Sequence, residues 1–385
     1  EDDSAEEVFS LLINCVEQIA SKDIAGVNHS LARLGEIASP TGPTAVHRLA
    51  AYYTEAFSLR VAKQWPHIFQ LTLVSRELDC GGAADDDQRT SNSSALRFLN
   101  QVTPILKFIH FSSNEILLRA LEGKDRIHII DFDIRQGLQW PCLFQTLASR
   151  TIPPSHVRIT GIGESKQELI ETGDHLSGFA EALNLPFKFH PVVDRLEDVR
   201  LWMLHVKENE SVAVNCTFQL HKLTYDETGE KLQDFLGLIH STNAEAVVIA
   251  EQEASHNEAS FDSRVASSLR YYSTVFDALD SSLPLGSKMR RKIEEMYGYE
   301  IRDMVSNEGR ERRERHERFD RWEETMAGKG GFVSMGIEER EVQLCKMILK
   351  MYESKDYRVE RKQDKKKAIT LSYADQPLYS VSGWR

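Results

Sequence analysis

The sequence predicts an α/β protein in which a doubly wound, mostly parallel sheet flanked by helices is combined with an all-helical subdomain. Residues 126–132 form a short apolar run rich in β-branched side chains, which is typical of a buried strand. The acids Asp131 and Asp133 and an amphipathic pattern over residues 139–150 follow this run, as in the first unit of a doubly wound sheet. The chain before this unit has helical periodicity throughout, whereas the chain after it alternates strand and helix patterns.

Net charge and cysteine usage narrow the classes of function. The 385 residues carry a formal net charge of −12, so any contact with nucleic acid needs a local basic patch. The five cysteines are far apart and form no Cys-x-x-Cys pair, which argues for a reducing compartment and against a zinc site or disulfide framework. Cys142 is interpreted as a small buried hydrophobic residue. No apolar run approaches membrane-spanning length, so we expect no membrane association.

The N-terminal third is predicted to form a helical bundle with short links. Asp23 is a suitable N-cap for the second helix, and Gly123 marks the end of the last one. Residues 79–94 are small and acidic, which is typical of a mobile surface loop. The predicted helices cover residues 4–21, 23–38, 44–64, 95–108 and 112–122.

The alternating part predicts parallel strands with right-handed crossovers, followed by a charged helical insertion and a few antiparallel strands. The predicted strands cover residues 126–132, 156–161, 187–192, 211–216, 245–251, 357–361, 368–373 and 378–381. The predicted helices cover residues 139–149, 166–183, 196–206, 229–241, 260–280, 284–322 and 338–352. We therefore expect a helical cap (residues 1–122) whose later helices lead into the core, and an α/β core (123–282). A helical insertion that joins the cap (283–325) and the C-terminal helix and antiparallel strands of the core (326–385) follow.

Several ordered blocks of the sequence form a recognisable set. They are His128–Asp131, Pro186–Pro191, Glu251–Asn257, Ser268–Ser273, Glu308–Glu317 and Ser382–Arg385. Together these blocks resemble the GRAS domain of plant transcriptional regulators, the scarecrow-like proteins. The chain departs from the family pattern at Ile127, where valine is usual, and at Gly383, where alanine is usual. The resemblance implies a core like a Rossmann-type methyltransferase with a helical cap. It also implies transcription regulation in the nucleus, through double-stranded DNA or through other transcription factors.

The turn after the first strand decides whether such a core still holds a cofactor. Close approach of S-adenosylmethionine needs a glycine-rich backbone, but residues 133–137 offer one glycine and three bulky side chains. We predict a vestigial ligand cleft, no cofactor and no enzyme activity; the alternative is a methyltransferase-like protein that binds S-adenosylmethionine or another small ligand. The cleft residues are Asp131, Asp133, Gly137 and Glu164. The two aspartates are expected to bond to backbone N–H groups in the turn and at the next helix start, and His128 and Trp140 to lie in the core.

Basic residues concentrate in the charged insertion. The segment 310–318 is predicted to be a helix in which Glu311–Arg315 and Glu314–Arg318 form favourable pairs, which also fits a solvated, salt-bridged surface helix. If instead one face presents its cations to phosphates, this region binds DNA. The DNA-binding candidates are Lys288, Arg290, Arg291, Lys292, Arg302, Arg310, Arg312, Arg313 and Arg315. A homodimer or heterodimer through the helical cap is predicted, because a twofold pair doubles each patch. The alternative is a pure protein-interaction module.

Overall fold

A computed structural model describes residues 2–69, 83–352, 354–361 and 367–385. Within it the chain forms two compact units. The helical unit comprises residues Glu1–Thr103 and Ala254–His316, and the sheet unit comprises residues Pro104–Glu253 and Glu317–Arg385. In the described part of the chain, no helix has the length and hydrophobicity that crossing a bilayer requires.

The helices and strands match most of the predicted pattern. The helices are α1 (Asp2–Ser21), α2 (Ile24–Ile37), α3 (Ala45–Gln64), α4 (Ala83–Val102), α5 (Ile105–Ala120), α6 (Trp140–Ala148), α7 (Lys166–Ala182), α8 (Leu201–Leu204), α9 (Glu230–Ser241), α10 (Phe261–Ser282), α11 (Lys288–Ser306), α12 (Phe319–Glu324) and α13 (Glu339–Leu349). The strands are β1 (Arg126–Asp131), β2 (His156–Gly163), β3 (Phe187–Val193), β4 (Ser211–Thr217), β5 (Ala246–Gln252), β6 (Tyr357–Arg361), β7 (Ala368–Tyr373) and β8 (Gln376–Trp384).

The sheet unit is built on one sheet with the strand order β3-β2-β1-β4-β5-β8-β7-β6. Strands β1 to β5 are parallel, and the antiparallel strands β8, β7 and β6 extend the sheet beyond β5. The order reverses at β1, so its carboxyl end lies at the switch point where such sheets bind ligands. In register, Asp131 lies opposite Gly161 of β2 and Asn215 of β4. The predicted mostly parallel, Rossmann-type sheet is confirmed.

The helical unit packs around α3, which contacts α1, α10 and α11. Tyr53 and Phe57 are fully buried on α3, and the hydroxyl of Tyr53 hydrogen-bonds to that of Ser268 at 2.6 Å. Asp23 caps α2 as predicted, because its Oδ1 accepts from the backbone N of Gly26 at 3.0 Å. The unit thus has its own core, with α10 as part of it.

The unit boundaries differ from those expected from the sequence. Helix α5 packs against β5 and β8, so the sheet unit begins at Pro104, and α5 is one of the later helices that were expected to lead into the core. Helix α10 contacts α1 and α3, so the helical unit resumes at Ala254 rather than at residue 283. Periodicity identifies a helix but does not show which core its apolar face joins.

Several predicted elements are corrected. Residues 83–94 belong to α4 and are not a loop, whereas 79–82, including Cys80, lie outside the described residues. The helix predicted over 196–206 is replaced by a 3-10 turn, Leu196–Asp198, and by α8, whose C-cap His205 is in the left-handed conformation (φ 51°). Cys142 is exposed on α6, so its predicted burial is wrong. The helix predicted over 310–318 is absent, because residues 312–318 have no helical structure.

Candidate functional site

The turn after β1 is filled by its own side chains. Ile134 is buried, and its backbone N donates to the carbonyl of Ile162 at 3.2 Å, which holds the turn against β2. A Cβ added to Gly161 would lie 2.8 Å from Cγ2 of Ile134, so the glycine makes room for this isoleucine. Gly137 adopts φ 63°, and a Cβ there would lie 3.1 Å from Cγ2 of Thr172. Both glycines therefore serve internal packing.

These residues do not fit S-adenosylmethionine. A cofactor at this position needs a turn whose backbone is open to close approach. Here Arg135 occupies the left-handed region (φ 47°), its Nε lies 2.8 Å from Oδ2 of Asp133, and its carbonyl accepts a hydrogen bond from the hydroxyl of Thr172. Glu164 is exposed just after β2, whereas Asp131 is buried. The turn after β1 therefore lacks the open backbone that a methyl donor would approach.

Asp131 is the centre of a buried polar network at the carboxyl ends of β1 and β4. Its Oδ2 accepts from Nε1 of Trp140 at 2.9 Å, and its Oδ1 accepts from Nδ2 of Asn215 at 3.2 Å. The network extends through Gln139, whose Nε2 donates to Oδ1 of Asn114 on α5 at 3.1 Å. Burial raises the pKa of Asp131 to about 7, although its hydrogen-bond donors oppose that shift. The network ties α5 and α6 to the strand ends.

The predicted role of the two aspartates is partly corrected. Asp131 does take part in the turn, because its Oδ1 accepts from the backbone N of Asp133 at 3.3 Å. However, α6 begins at N-cap Gln139 without a side-chain cap, so Asp131 holds the helix through the indole of Trp140 and not through backbone N–H groups. Asp133 instead accepts from Nε2 of Gln219 at 2.9 Å. Burial would raise the pKa of Asp133, but the charges of Arg135 and Lys222 hold it below its ordinary value.

A second buried polar pair is formed by His221, which follows β4, and Glu251, which lies near the end of β5. Oε1 of Glu251 accepts from the backbone N of Leu220 at 2.8 Å, and Oε2 lies 2.7 Å from Nδ1 of His221. Sequence reasoning missed this pair as well as Asn114, Gln139, Asn215 and Gln219. A detectable signal existed, since polar residues follow β4 as they follow β1, and parallel strand ends meet at one edge of the sheet. The contacts of these groups join the strand ends to each other.

His128 and Trp140 lie in the core, as predicted. His128 is fully buried, with Nε2 2.8 Å from the hydroxyl of Thr160 and Nδ1 3.0 Å from Nη2 of Arg158. Burial and the charge of Arg158 lower the pKa of His128 to about 3, so it is neutral at physiological pH. The charge of Arg158 is balanced by the buried Glu210. Trp140 is fully buried.

Three of the nine DNA-binding candidates are internal to the helical unit. Arg290 is 5 % exposed, and its Nη1 lies 3.2 Å from Oδ1 of Asp280. Arg312 is 3 % exposed and donates to the carbonyl of His256 at 2.8 Å. Arg315 is 7 % exposed and donates to the carbonyl of Arg312 at 2.9 Å. Their guanidinium groups hold loops and helices of the unit, and this burial conflicts with the predicted phosphate contacts.

The arginine-rich segment, residues 310–318, is held by hydrogen bonds to α11 on one side and to Asn257 on the other. Oδ2 of Asp303 in α11 accepts from the backbone N groups of Arg313 and Glu314, each at 2.7 Å. Nη1 of Arg315 donates to Oδ1 of Asn257 at 3.1 Å. These bonds replace helical backbone bonds, which explains why residues 312–318 are not helical.

The other six candidates are at least partly accessible. Arg302 is half-buried, with Nη2 2.7 Å from Oε1 of Glu55, and Nζ of Lys292 lies 3.3 Å from Oε2 of Glu295. The exposed candidates are Lys288, Arg291, Lys292, Arg310 and Arg313. Three of these lie in the first turns of α11, where cations oppose the helix dipole. The structure thus brings together Lys288, Arg291 and Lys292.

Comparison with known proteins identifies the family. The model of the GRAS domain family matches residues 8–385. This chain belongs to the GRAS domain family. It is 57% identical to Scarecrow-like protein 28 of Arabidopsis thaliana over 98% of this chain and 58% of that protein. It is 50% identical to Protein DWARF AND LOW-TILLERING of Oryza sativa subsp. japonica over 98% of this chain and 61% of that protein. The GRAS chain therefore spans about three fifths of the length of these relatives.

A solved structure supports the same fold. The crystal structure of SCL7 in Oryza sativa superimposes with a TM-score of 0.84 at 29% sequence identity, over 98% of this chain and 99% of that chain. The GRAS resemblance carried by His128–Asp131 and the later blocks is confirmed.

Proposed function

We propose that this GRAS chain is part of a plant transcriptional regulator that acts in the nucleus, without catalysis, by binding other proteins. The burial of Arg290, Arg312 and Arg315 carries the proposal, because it removes three guanidinium groups from the surface that DNA contact requires. The self-filled turn after β1 supports the absence of catalysis, because Ile134 and Thr172 occupy the space that both glycines leave.

Tethering tests this function directly. The chain would be fused to a heterologous DNA-binding domain and expressed in plant cells with a matching reporter gene. We expect the reporter output to change although the chain itself contacts no DNA, because recruited partners act on the promoter. The matched control carries Arg291→Glu, an exposed position, and should behave like the parent chain. An unchanged reporter with a nuclear, folded fusion would contradict the proposal.

Direct DNA binding is the second candidate, favoured by the exposed cations Lys288, Arg291 and Lys292 at the start of α11. The test is a mobility-shift assay over a salt series from about 50 to 200 mM. Direct phosphate contact predicts affinity that falls steeply with salt and drops in the triple Lys288→Glu, Arg291→Glu, Lys292→Glu variant. If the affinity for DNA changes neither with salt nor in the triple variant, direct DNA binding through this cluster is excluded.

Dimerisation through the helical unit belongs to this second candidate, because a twofold pair would double the exposed cluster of α11. Light scattering after gel filtration measures the solution mass. A mass of two chains that persists on dilution supports a dimer, and a mass of one chain at all concentrations contradicts it.

A further inference from the structure

We infer that Arg312 is the centre of a binding site for a phosphate-type oxyanion in the helical unit. Arg312 is 3% exposed, and its Nη1 donates to the carbonyl of His256 at 2.8 Å. Its Nε is fully buried, and neither Nε nor Nη2 donates to any group in the described part of the chain. These two atoms form the edge of a guanidinium group that binds carboxylate or phosphate through two parallel hydrogen bonds. A buried donor without an acceptor in the protein indicates a bound ion or water molecule.

Other buried arginines of the chain have the counterion that Arg312 lacks. Five of them form ion pairs with carboxylates, namely Arg48, Arg60, Arg158, Arg264 and Arg290. Arg312 forms no ion pair with any residue that the structure describes. A buried charge without a partner is strongly destabilising, which is why buried charges are normally paired. The protein thus maintains at Arg312 a buried cation whose counterion is none of its own described side chains.

The electrostatic field of the neighbouring side chains at Arg312 is positive. The pKa of Arg312 is lowered to about 10, first by burial and then by the charges of Arg264 and Arg315. Glu308 and Asp303 oppose this lowering of the pKa, but each has a smaller effect than either of the two cations. Arg312 is still protonated at physiological pH, so its charge adds to a site that already favours an anion.

Glu308 lies where this cluster of arginines meets the solvent. Its side chain is 50% exposed, and its Oε1 lies 2.9 Å from Nη1 of Arg60 and 2.5 Å from Nη2 of Arg264. One carboxylate oxygen therefore already bridges two buried guanidinium groups. The turn from Glu308 to Arg312 is exposed, and a Cβ added to Gly309 would have no heavy atom within 4 Å. We place the entrance of the anion at this open turn, beside the Glu308 carboxylate.

The depth of the site selects a small ligand, and its charge selects phosphate. A DNA duplex carries its phosphates on a bulky backbone, which does not reach a side chain that is 3% exposed, whereas a small phosphate compound does. A phosphate group carries up to two negative charges and three or more acceptor oxygens. It therefore offsets the charges of Arg312, Arg264 and Arg315 better than a carboxylate does. The ligand is a phosphate group, either free or carried by a small metabolite.

Equilibrium dialysis of the whole chain against radiolabelled orthophosphate, at constant ionic strength, tests the site. We expect saturable binding of one phosphate per chain, and Arg312→Gln should weaken it by at least about tenfold because the guanidinium edge is lost. Arg195→Gln is the matched control, since Arg195 is an exposed arginine of the sheet unit and its loss should leave phosphate binding unchanged. No saturable binding by the parent chain, or equal weakening in the two variants, overturns the inference.

Glu308→Gln keeps the test decisive if Arg312→Gln fails to fold. This variant keeps the shape of the side chain but removes the negative charge that repels the incoming anion. We therefore expect the affinity for orthophosphate to rise by at least about threefold. Unchanged or weaker binding in a folded Glu308→Gln variant overturns the inference, because an anion at Arg312 must respond to this charge.

Competition against the labelled orthophosphate identifies the source of the phosphate group. Displacement by glycerol 3-phosphate assigns the site to phosphate monoesters, and displacement by unlabelled orthophosphate alone assigns it to free phosphate. Acetate that competes as well as orthophosphate, or a DNA duplex that competes better, overturns the inference. The inference goes beyond the proposed function, which needs no anion. These assays use neither promoter nor reporter, so their failure leaves that proposal standing.

Discussion

Nε1 of Trp140 donates to Oδ2 of Asp131 at 2.9 Å, and both side chains are buried. This bond joins the first residue of α6 to the last residue of β1. The bond occupies one carboxylate oxygen of Asp131 at the carboxyl end of β1, which is where doubly wound sheets bind their ligands. The strand end thus serves to attach a helix to the sheet.

The first prediction concerns this bond. Trp140→Phe removes the indole donor and leaves a buried carboxylate oxygen without it, so we expect the free energy of unfolding to fall by about 1–3 kcal/mol. Chemical denaturation measures the change. Trp202→Phe is the control, since Trp202 is 71% exposed and should shift stability by less than about 0.5 kcal/mol. Equal losses in the two variants would contradict the structural role of the bond.

The second prediction concerns pH. The folded-state pKa of Asp131, about 7, lies above the ordinary value of 3.8, so its stabilising contribution is full below pH 3.8 and is lost as the pH rises towards 7. The stability of the parent chain relative to Asp131→Asn should therefore fall with rising pH by at most about 1.4 kcal/mol per unit in this window. Denaturation curves across the pH range measure the difference.

Asp133→Asn is the matched control for that experiment. Because the pKa of Asp133 is held below 3.8, its contribution is present above pH 3.8 and is lost as the pH falls below that value. The two variants should therefore show slopes of opposite sign. A difference between Asp131→Asn and the parent chain that stays constant with pH would show that Asp131 is not shifted upwards.

The third prediction concerns Gly161. Gly161→Ala places a Cβ 2.8 Å from both Cγ2 of Ile134 and Cζ of Phe189, so we expect a loss of about 1–3 kcal/mol in stability. Gly178→Ala in α7 is the control, since no heavy atom lies within 4 Å of the added Cβ and alanine favours the helix. Thermal unfolding should therefore move in opposite directions for the two variants. A neutral Gly161→Ala would show that the turn is looser than these contacts indicate.

The fourth prediction compares a buried arginine with an exposed arginine of the helical unit. Arg48 is fully buried, and its Nε lies 2.9 Å from Oε1 of Glu294, which is itself 1% exposed. Arg48→Ala removes the nearer cation from this buried carboxylate and leaves it with Nε of Arg290 at 3.4 Å, so we expect a loss of about 3 kcal/mol. Arg291→Ala, at an exposed position of α11, should cost less than about 0.5 kcal/mol. Similar losses would mean that Arg48 is not a structural cation.

The sheet and its switch point follow from local patterns, because β-branched runs and helical periodicity are properties of neighbouring residues. Only part of the polar network at the end of β1 could be predicted from the sequence. Asp131 and Asp133 are visible at a strand end, but Asn114 reaches Gln139 from α5, a contact set by tertiary packing. The burial of three arginines of the insertion was not predictable for the same reason. Nothing near Arg312 in the sequence indicates that the carbonyl of His256 accepts from it.

Calorimetric titration with S-adenosylmethionine tests most directly the claim that this GRAS chain is not an enzyme. We expect no saturable heat, since Ile134 packs against Gly161 and the turn after β1 is closed by its own side chains. Saturable micromolar binding that weakens in Asp131→Asn and in Glu164→Gln, together with methyl transfer to any acceptor, would contradict it.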